Sequence, residues 1–380
     1  MTELFCPITY SQKFRKIYSI KKFPIFMGVS KNIKNYNFKN LNWWINVKSG
    51  NIQIHPKVSL DKLYYKSHGS GTVGKIWKDH HELFFKLVKK YLKGNVCEIG
   101  GGNNSISKKI SNYSKIINFY CFDKNLKLKK INRKVKIVTK FFDRNFFKGK
   151  NSFQADLVIH SHTFEHLYDP NKFLQDVKSI LSKNGKHIFT MPNMQPMIKK
   201  GYANAMNFEH PFYYDEKLVD CLLLKNNFKI IKKKLFKEDH SIMYVTKIDN
   251  SHNTNQNKKL NNYQQYSKNF KLFKKTFELW KKEIIKINKL IKRYNNVFLF
   301  GAHVFSQLQI FNGLNKKKII GILDNDKNKI NDFLYGTNLK VYNPIILKKI
   351  TKPCVVLRAG SYNKEIKKQL LEINKSTVII

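Results

Sequence analysis

The chain has little arginine and few acidic residues for its length. Of its 72 basic residues, 72 − 5 = 67 are lysine, against 25 acidic residues and a formal net charge of +47. Arginine is the side chain that most often makes two parallel hydrogen bonds to a base edge or to a phosphate group. The lysines are spread from end to end, with much asparagine and isoleucine, which indicates a compositional bias and disfavours a nucleic-acid partner. The charge should still attract acidic small molecules. The arginines are Arg15, Arg133, Arg144, Arg293 and Arg358.

Cysteine pairs, a signal peptide and long apolar runs are also missing. The five cysteines are isolated and never form Cys-x-x-Cys, so neither a disulfide framework nor a zinc knuckle is indicated. The first residues lack a basic region followed by an apolar core, and no run is long enough to span a bilayer. We therefore expect a cytoplasmic protein with no membrane partner.

The pattern of apolar runs predicts several domains in this 380-residue chain. Residues 1–78 form a small module, with a hairpin formed by residues 43–47 and 50–54. A helix near 81–92 then leads into alternating strands and helices, which is typical of a largely parallel sheet covered on both faces. We predict strands at 95–99, 117–122, 135–139, 155–160, 186–191, 228–233 and 241–246, and helices at 104–112, 170–182 and 215–226.

A polar stretch at 249–269 indicates a linker, followed by an amphipathic helix at 270–294. A strand running into Gly301 and a second strand ending in Asp324 then predict a second, smaller Rossmann-like unit. A purely structural role for this unit and nucleotide binding are equally favoured. The expected division is 1–78, 79–248, 249–294 and 295–380.

The most informative segment is a triple glycine, Gly100–Gly102, directly after a short apolar run. Glycine suits a turn in which the backbone approaches a ligand, because it has no Cβ and tolerates positive φ. Asp123 ends the next strand, where it could hold two ribose hydroxyls. Glu98 precedes the glycines, and the glycine spacing departs from the dinucleotide pattern, so the segment favours S-adenosylmethionine over NAD.

Two histidine-containing segments follow strands at the same predicted sheet edge, where open α/β sheets bind ligands. The first contains His160, His162 and His166, and the second runs from Asn207 to Tyr214. For His160 and His162, a capping or core role is favoured. His166 and the pair Glu209–His210 are the candidates for catalysis.

Methyl transfer from a sulfonium requires in-line alignment of the acceptor and, for a weak acid, removal of a proton. Alignment can lower a barrier by roughly 7–11 kcal/mol, whereas a positioned base contributes about 10²–10⁴ in rate. His210 is the preferred base because an imidazole titrates near neutral pH. Tyr213, Tyr214 and His166 are its candidate partners.

Over about 95–235 the chain resembles the class I S-adenosylmethionine-dependent methyltransferases. The resemblance rests on Glu98-Ile-Gly-Gly-Gly102, on Asp123 and on Phe164-Glu-His-Leu-x-Asp-Pro170. It implies a Rossmann-like α/β core with S-adenosylmethionine as cofactor. The implied cofactor contacts are Glu98, Gly100, Gly101, Gly102, Asp123 and His160, with Phe142 and Asp143 at the adenine edge.

The whole-chain arrangement resembles the three-domain sugar C-methyltransferases, which act on nucleotide-linked keto-deoxysugars. The segments concerned are 63–71, Glu209-His210-x-x-Tyr213, and the terminal unit with Gly301, Asp324 and Gly336. This resemblance implies a base that removes a proton beside the sugar ketone, giving an enolate that accepts the methyl group. It implies that His210 is the base, that Glu209 orients it, and that Tyr65 and His166 face the substrate.

The chain departs from that family at two places. The family's N-terminal module holds zinc on four cysteines, of which Cys6 alone remains, so we predict no zinc and no other metal. Asn207 and Phe208 also stand where the family has an aromatic hydroxyl and a histidine. O- or N-methyl transfer by the same fold, an RNA methyltransferase and a non-catalytic scaffold stay open, as do the acceptor, the sugar and the oligomeric state.

Overall fold

A computed structural model describes residues 4–64, 74–102, 105–125, 131–132, 134–148, 153–249 and 264–380. The strands are β1 Phe14–Pro24, β2 Val29–Ser30, β3 Phe38–Asn46, β4 Ile52–Ile54, β5 Gly94–Ile99, β6 Ile116–Phe122, β7 Val135–Val138, β8 Ala155–Ser161, β9 Leu181–Pro192, β10 Phe228–Lys237, β11 Ser241–Ile248, β12 Val297–Phe300, β13 Ile319–Leu323, β14 Phe333–Leu334, β15 Val341–Tyr342, β16 Cys354–Val356 and β17 Val378–Ile379. The α-helices are α1 Leu60–Leu63, α2 Lys75–Lys89, α3 Ser105–Ile110, α4 Pro170–Ile180, α5 Met194–Lys199, α6 Glu216–Lys225, α7 Tyr266–Ile291, α8 Val304–Phe311 and α9 Asn363–Ile373.

The central element is a seven-stranded sheet in the order β10-β11-β9-β8-β5-β6-β7. Its pairs β9–β8, β8–β5, β5–β6 and β6–β7 are parallel, and β11 is antiparallel to both of its neighbours. The inner strands are near-continuous apolar runs because helices cover both faces of the sheet. The predicted Rossmann-like α/β core is confirmed, and each of its seven strands overlaps the predicted range.

The N-terminal module is built on a three-stranded antiparallel sheet, β1-β3-β4. Trp43 pairs with Ile54 across β3 and β4, as the predicted hairpin requires. The long helix α7 packs on this sheet, because the Phe277 ring lies 5.5 Å from Trp43 and 4.1 Å from Tyr18, centroid to centroid. The amphipathic helix therefore belongs to the core that the N-terminal module shares with the central sheet.

The C-terminal unit contains a second parallel sheet, in the order β15-β13-β12-β16-β17. Apolar clusters cover both of its faces, and the predicted second Rossmann-like domain is confirmed. Strand β2 of the N-terminal module pairs with β14, so the first and last parts of the chain are in direct contact. The proposed domain boundaries thus separate parts that share hydrogen bonds and cores.

Some predicted features lie outside the described residues. These are most of the predicted linker, at 250–263, and the segment 65–73, which includes Tyr65. None of the helices in the described part of the chain combines the length and apolar character needed to cross a bilayer.

Candidate active site

A cleft of about 720 Å³ runs along the carboxyl ends of the strands of both parallel sheets. Its lining includes the glycine turn of the central sheet, the turns that follow β12 and β13, and three histidines of the two predicted segments, His162, His166 and His210. Glu98 and Asp123, predicted to contact the cofactor, therefore share one cavity with His166 and His210.

The turn after β5 is built around Gly100, whose φ is +73°. A Cβ at this position would lie 2.3 Å from Thr163 Oγ1, and only glycine avoids both that overlap and the left-handed strain. Thr163 follows β8, the neighbour of β5 on one side, while β6 lies on the other side. Gly100 thus marks the point where the strand order reverses, the usual ligand position in such sheets.

Asp123 is held by the same turn. Its Oδ2 accepts the backbone N–H of Gly102 at 2.9 Å, and its Oδ1 accepts that of Asn125 at 2.7 Å. Each carboxylate oxygen has two lone pairs, so each retains one acceptor position. Two remaining acceptors match the two hydroxyls of a ribose.

Glu98 lines the cleft but is only 3% exposed. Its Oε2 accepts the hydroxyl of Ser107 and lies 3.8 Å from Cys121 Sγ. Burial raises the pKa of this carboxyl to about 7. Its charge at neutral pH is therefore finely balanced, and a cationic ligand would favour the ionised form.

The two residues expected at the adenine edge are placed differently. Phe142 lines the cleft, where an aromatic face can stack on a base. Asp143 is exposed and does not line the cleft, because its side chain caps the short helical turn Arg144–Phe147 through the backbone N–H of Asn145.

His160 lies in the core and not at the cleft. Its Nε2 is 2.9 Å from Nε2 of His187, and its ring stacks on Phe189. Side chains alternate along β8, which turns His160 toward the covered face of the sheet. This position corrects the expectation that His160 contacts the cofactor. The core role that the sequence favoured for His160 agrees with its position.

His166 and His210 meet in the cleft, with ring centroids 4.7 Å apart. The Nδ1 of His166 lies 3.0 Å from the Glu209 carbonyl oxygen, and that of His210 lies 3.3 Å from the Ala205 carbonyl oxygen. A carbonyl can only accept, so Nδ1 of His210 carries the hydrogen, and Nε2 of the neutral His210 ring carries a lone pair. Burial, followed by the neighbouring His166, lowers the pKa of His210 to about 4.

Glu165 is the carboxylate that converges with these two histidines. Its Oε1 accepts the Nδ1–H of His162 at 3.0 Å, and Nε2 of His162 lies 2.9 Å from Ser241 Oγ. Its Oε2 is buried without a hydrogen-bond partner among the described residues. The backbone of His162 has a φ of +52°, a left-handed conformation that costs energy for residues other than glycine.

One potential ligand atom from each of Glu165, His166 and His210 lies within 4.8 Å of the other two. Two imidazoles and a carboxylate can bind a divalent transition metal. The absence of a metal therefore stays a prediction.

Two tyrosines have positions that the sequence did not indicate. Tyr64, adjacent to the expected Tyr65, lines the cleft, and its hydroxyl lies 2.8 Å from Nδ1 of His166. Tyr213 is fully buried against Phe273, with ring centroids 5.1 Å apart, and does not line the cleft. The expected catalytic role of Tyr213 is corrected on this ground, because packing against α7 turns its ring into the core.

The cleft is acidic although the chain is basic. In the described part of the chain, ten of its lining residues are carboxylates and four are lysines. The carboxylates are Glu98, Asp123, Glu165, Asp169, Asp176, Glu209, Asp239, Asp324, Asp326 and Glu365. This lining favours a cationic cofactor and disfavours a nucleic-acid backbone.

Residues 75–233 match the family model of a methyltransferase domain. This segment is a methyltransferase domain, and its cofactor is S-adenosylmethionine. The site fits that cofactor, since the turn at Gly100 lacks room for a Cβ, Asp123 keeps two acceptors, and Phe142 offers an aromatic face. When bound, the cofactor supplies an electrophilic methyl group on a sulfonium.

Solved methyltransferase structures resemble part of the chain at low identity. An S-adenosylmethionine-dependent methyltransferase from Clostridium acetobutylicum is 13% identical, with 50% of this chain and 96% of that chain covered and a TM-score of 0.35. The N-methyltransferase NodS from Bradyrhizobium japonicum, in complex with S-adenosyl-L-homocysteine, is 10% identical, with 46% and 88% covered and a TM-score of 0.34. No curated protein matches the chain by sequence. The assignment of the domain rests on the family match.

Sequence reasoning missed Tyr64 and the role of Glu165. Glu165 lay within the segment that carried the family resemblance, and its position directly before His166 was a usable signal. Tyr64 had a weaker signal, because two adjacent tyrosines cannot be ranked from sequence.

Proposed function

We propose that the chain transfers a methyl group to a carbon of a sugar, and that this sugar is linked to a nucleotide. The observation that carries the proposal is the convergence of His166, His210 and Glu165 in the cleft that also contains the glycine turn. Methylation at carbon requires a base next to the methyl donor, and this cluster supplies one. The resemblance to keto-deoxysugar C-methyltransferases supports the choice of acceptor.

His210 is the proposed base. Its Nδ1–H is held by the Ala205 carbonyl oxygen, so its Nε2 is available to take the proton beside the ketone. That step leaves an enolate whose carbon accepts the methyl group, while His210 becomes an imidazolium. Glu165 and Glu209 both line the cleft and can stabilise that positive charge. His166 and Tyr65 are proposed to face the sugar.

The proposed place of this reaction is cytoplasmic biosynthesis of a deoxysugar or surface polysaccharide. Five free, buried cysteines are consistent with a reducing compartment. We further propose that residues 79–248 carry the chemistry, while 1–78 and 295–380 form the other walls of the substrate site.

The test is incubation with S-adenosylmethionine and a panel of nucleotide-linked keto-deoxysugars, with S-adenosylhomocysteine as the readout. In deuterated water, an enolate route also exchanges the hydrogen beside the ketone when S-adenosylhomocysteine replaces the methyl donor. Exchange in the wild type and its loss in His210→Asn are expected. Turnover without exchange would rule out the enolate and leave methyl transfer to oxygen or nitrogen.

N- or O-methyl transfer to a sugar or small metabolite is the second candidate, and the acidic cleft favours an acceptor that carries an amine. Such an acceptor needs little help in losing a proton once neutral, so His210→Asn would keep more activity. An RNA acceptor is the least favoured, because ten of the described residues that line the cleft are carboxylates. Tight, salt-dependent RNA binding would revive it.

A further inference from the structure

Both ring nitrogens of His162 are engaged by other side chains. Its Nδ1 lies 3.0 Å from Glu165 Oε1, and its Nε2 lies 2.9 Å from Ser241 Oγ. An ionised carboxylate can only accept, so Nδ1 of His162 donates to Glu165, and Nε2 of the neutral ring accepts the Ser241 hydroxyl. Neither nitrogen is left to take a proton from a ligand.

The orientation of the His162 ring is fixed from two further sides. Ser241 begins β11, and its Oγ lies 2.5 Å from Nδ1 of His240. Because the Ser241 hydroxyl hydrogen goes to His162, the Ser241 oxygen accepts the Nδ1–H of His240. The Trp77 ring packs against His162, with centroids 4.8 Å apart. The ring is therefore held in one direction by packing and by a series of hydrogen bonds.

The backbone of His162 is strained at the same point. Its φ is +52°, and its N–H donates to the Thr190 carbonyl oxygen at 2.8 Å. Strain of this kind persists where the surrounding structure imposes it, and it is concentrated at functional sites. Glycine would adopt this φ without strain. The chain instead has an imidazole here, and that imidazole makes the bond to Glu165.

Glu165 is the residue that this arrangement holds. It is 1% exposed, so its charge is costly unless hydrogen bonds compensate for the lost water. His162 supplies such a bond at Oε1, and Oε2 has no partner among the described residues. One oxygen of this carboxylate lies within 4.8 Å of a ring nitrogen of His166 and of a ring nitrogen of His210. The bond from His162 therefore sets the position of the carboxylate relative to both imidazoles.

We propose that His162 is a positioning residue, which holds Glu165 so that this carboxylate stabilises the imidazolium formed on His210 during proton removal. The inference rests on the proposed function, in which His210 takes the proton, and it adds the residue that prepares the carboxylate. His162 takes no proton itself. Its effect on the reaction passes through Glu165.

The test compares His162→Asn with His162→Gly in the full chain. The asparagine amide nitrogen takes the place of Nδ1 and can donate to Glu165, whereas glycine has no donor. Both residues tolerate a positive φ, and both lose the imidazole nitrogen that contacts Ser241. The comparison therefore isolates the bond to Glu165 from the other contacts of the ring.

The readout is exchange of the hydrogen beside the ketone in deuterated water, with S-adenosylhomocysteine in place of the methyl donor. We expect His162→Asn to stay within about threefold of the wild-type rate and His162→Gly to be roughly tenfold slower, the effect of losing a hydrogen bond to a charged group. Unchanged S-adenosylmethionine binding by calorimetry shows that a variant is folded. If His162→Gly loses that binding, His162→Asp takes its place, because ionised aspartate matches asparagine in size and has no donor.

A double-mutant cycle with Glu165→Gln separates positioning from a purely structural role. If His162 acts through Glu165, then adding His162→Gly to Glu165→Gln should slow exchange by less than about twofold. If His162 only supports the fold, the two losses should multiply.

Two results would overturn the inference while exchange in the wild type supports the proposed function. They are equal losses in His162→Asn and His162→Gly, and losses that multiply in the double variant. Failure of the enolate route looks different, because the wild type then forms S-adenosylhomocysteine without exchange. In that case kcat ranks the same variants, and an equal kcat in His162→Asn and His162→Gly overturns the positioning role. Neither turnover nor exchange in the wild type with any sugar would overturn both proposals.

Discussion

Asp324 accepts in the second α/β unit the same pair of main-chain hydrogen bonds that Asp123 accepts in the first, within 0.2 Å in each case. Both aspartates face one cleft, so the protein has two similar carboxylates there. The first belongs to a methyltransferase domain.

The glycine turn gives the first prediction. Gly100→Ala would place a Cβ 2.3 Å from Thr163 Oγ1 at φ +73°. A Cβ at Gly102, with φ +50°, would lie no closer than 3.9 Å to another described residue. Gly102→Ala should cost only the left-handed strain of about 1–2 kcal/mol. Gly100→Ala should weaken S-adenosylmethionine binding by calorimetry clearly more than Gly102→Ala. Equal affinities in the two variants would show that the close packing of Gly100 against Thr163 does not affect cofactor binding.

Two tyrosines give the second prediction. Tyr64→Phe removes the hydroxyl at 2.8 Å from Nδ1 of His166, and a hydrogen bond of this kind contributes about 0.5–1.5 kcal/mol. We therefore expect a several-fold loss of kcat.

Tyr213→Phe is the matched control. It removes a buried hydroxyl that has no partner among the described residues. It should keep wild-type turnover and unfold at equal or higher urea concentration. A Tyr213→Phe variant with the larger loss of kcat would contradict the placement of both rings.

The pH dependence of the rate is the third prediction. A base must be unprotonated, and the pKa of His210 lies at about 4 because the ring is buried. The value of kcat/KM should rise with pH through about 4 and stay flat above, with no acidic limb near the usual histidine value of 6.5. Cofactor binding measured at each pH separates this limb from acid unfolding. A limb near 6.5 that His210→Asn abolishes would contradict the burial of the base.

Acid sensitivity of the fold is the fourth prediction, and it rests on the buried pair His160 and His187. Burial lowers the pKa of His187 to about 3 and holds that of His160 well below its usual range. Below pH 6.5 the unfolded chain binds protons that the native pair does not, so stability falls as pH drops toward 3 and is unaffected above 6.5. From pH 7 to 5 the loss should be about 2 kcal/mol for His187, and His160 shifts stability in the same direction.

Urea unfolding at pH 7 and pH 5 measures this loss, and the double variant His160→Leu/His187→Leu should show a smaller difference between the two pH values. An unchanged difference in the double variant would show that other groups cause the acid sensitivity.

The sequence was sufficient for the fold, for the cofactor, and for the position of the glycine turn and Asp123 in the cleft. The glycine turn directly follows the strand that ends at Ile99, and a single helix separates it from the strand before Asp123. Periodicity and the position of the glycines therefore predict how these features are arranged. The arrangement of the residues proposed to act on the methyl acceptor could be found only from the structure. His166 and His210 are 44 positions apart, and the direction of Tyr213 depends on packing against α7, which no local pattern encodes.

The departures from sequence expectation have a common physical cause. His160 and Tyr213 were chosen for their position near motifs, but strand alternation and helix packing turn both side chains into the core. The sequence alone does not single out Glu165. Its importance follows from an unpartnered buried oxygen that only the fold reveals.

The most direct test of the central claim is calorimetric titration of the full chain and its Asp123→Ala variant with S-adenosylmethionine, continued as a turnover assay with nucleotide-linked keto-deoxysugars. We predict one equivalent of cofactor bound by the wild type, at least tenfold weaker binding by the variant, and S-adenosylhomocysteine formed with one of the sugars. Failure of the wild type to bind the cofactor, or equal binding by both proteins, would contradict the account.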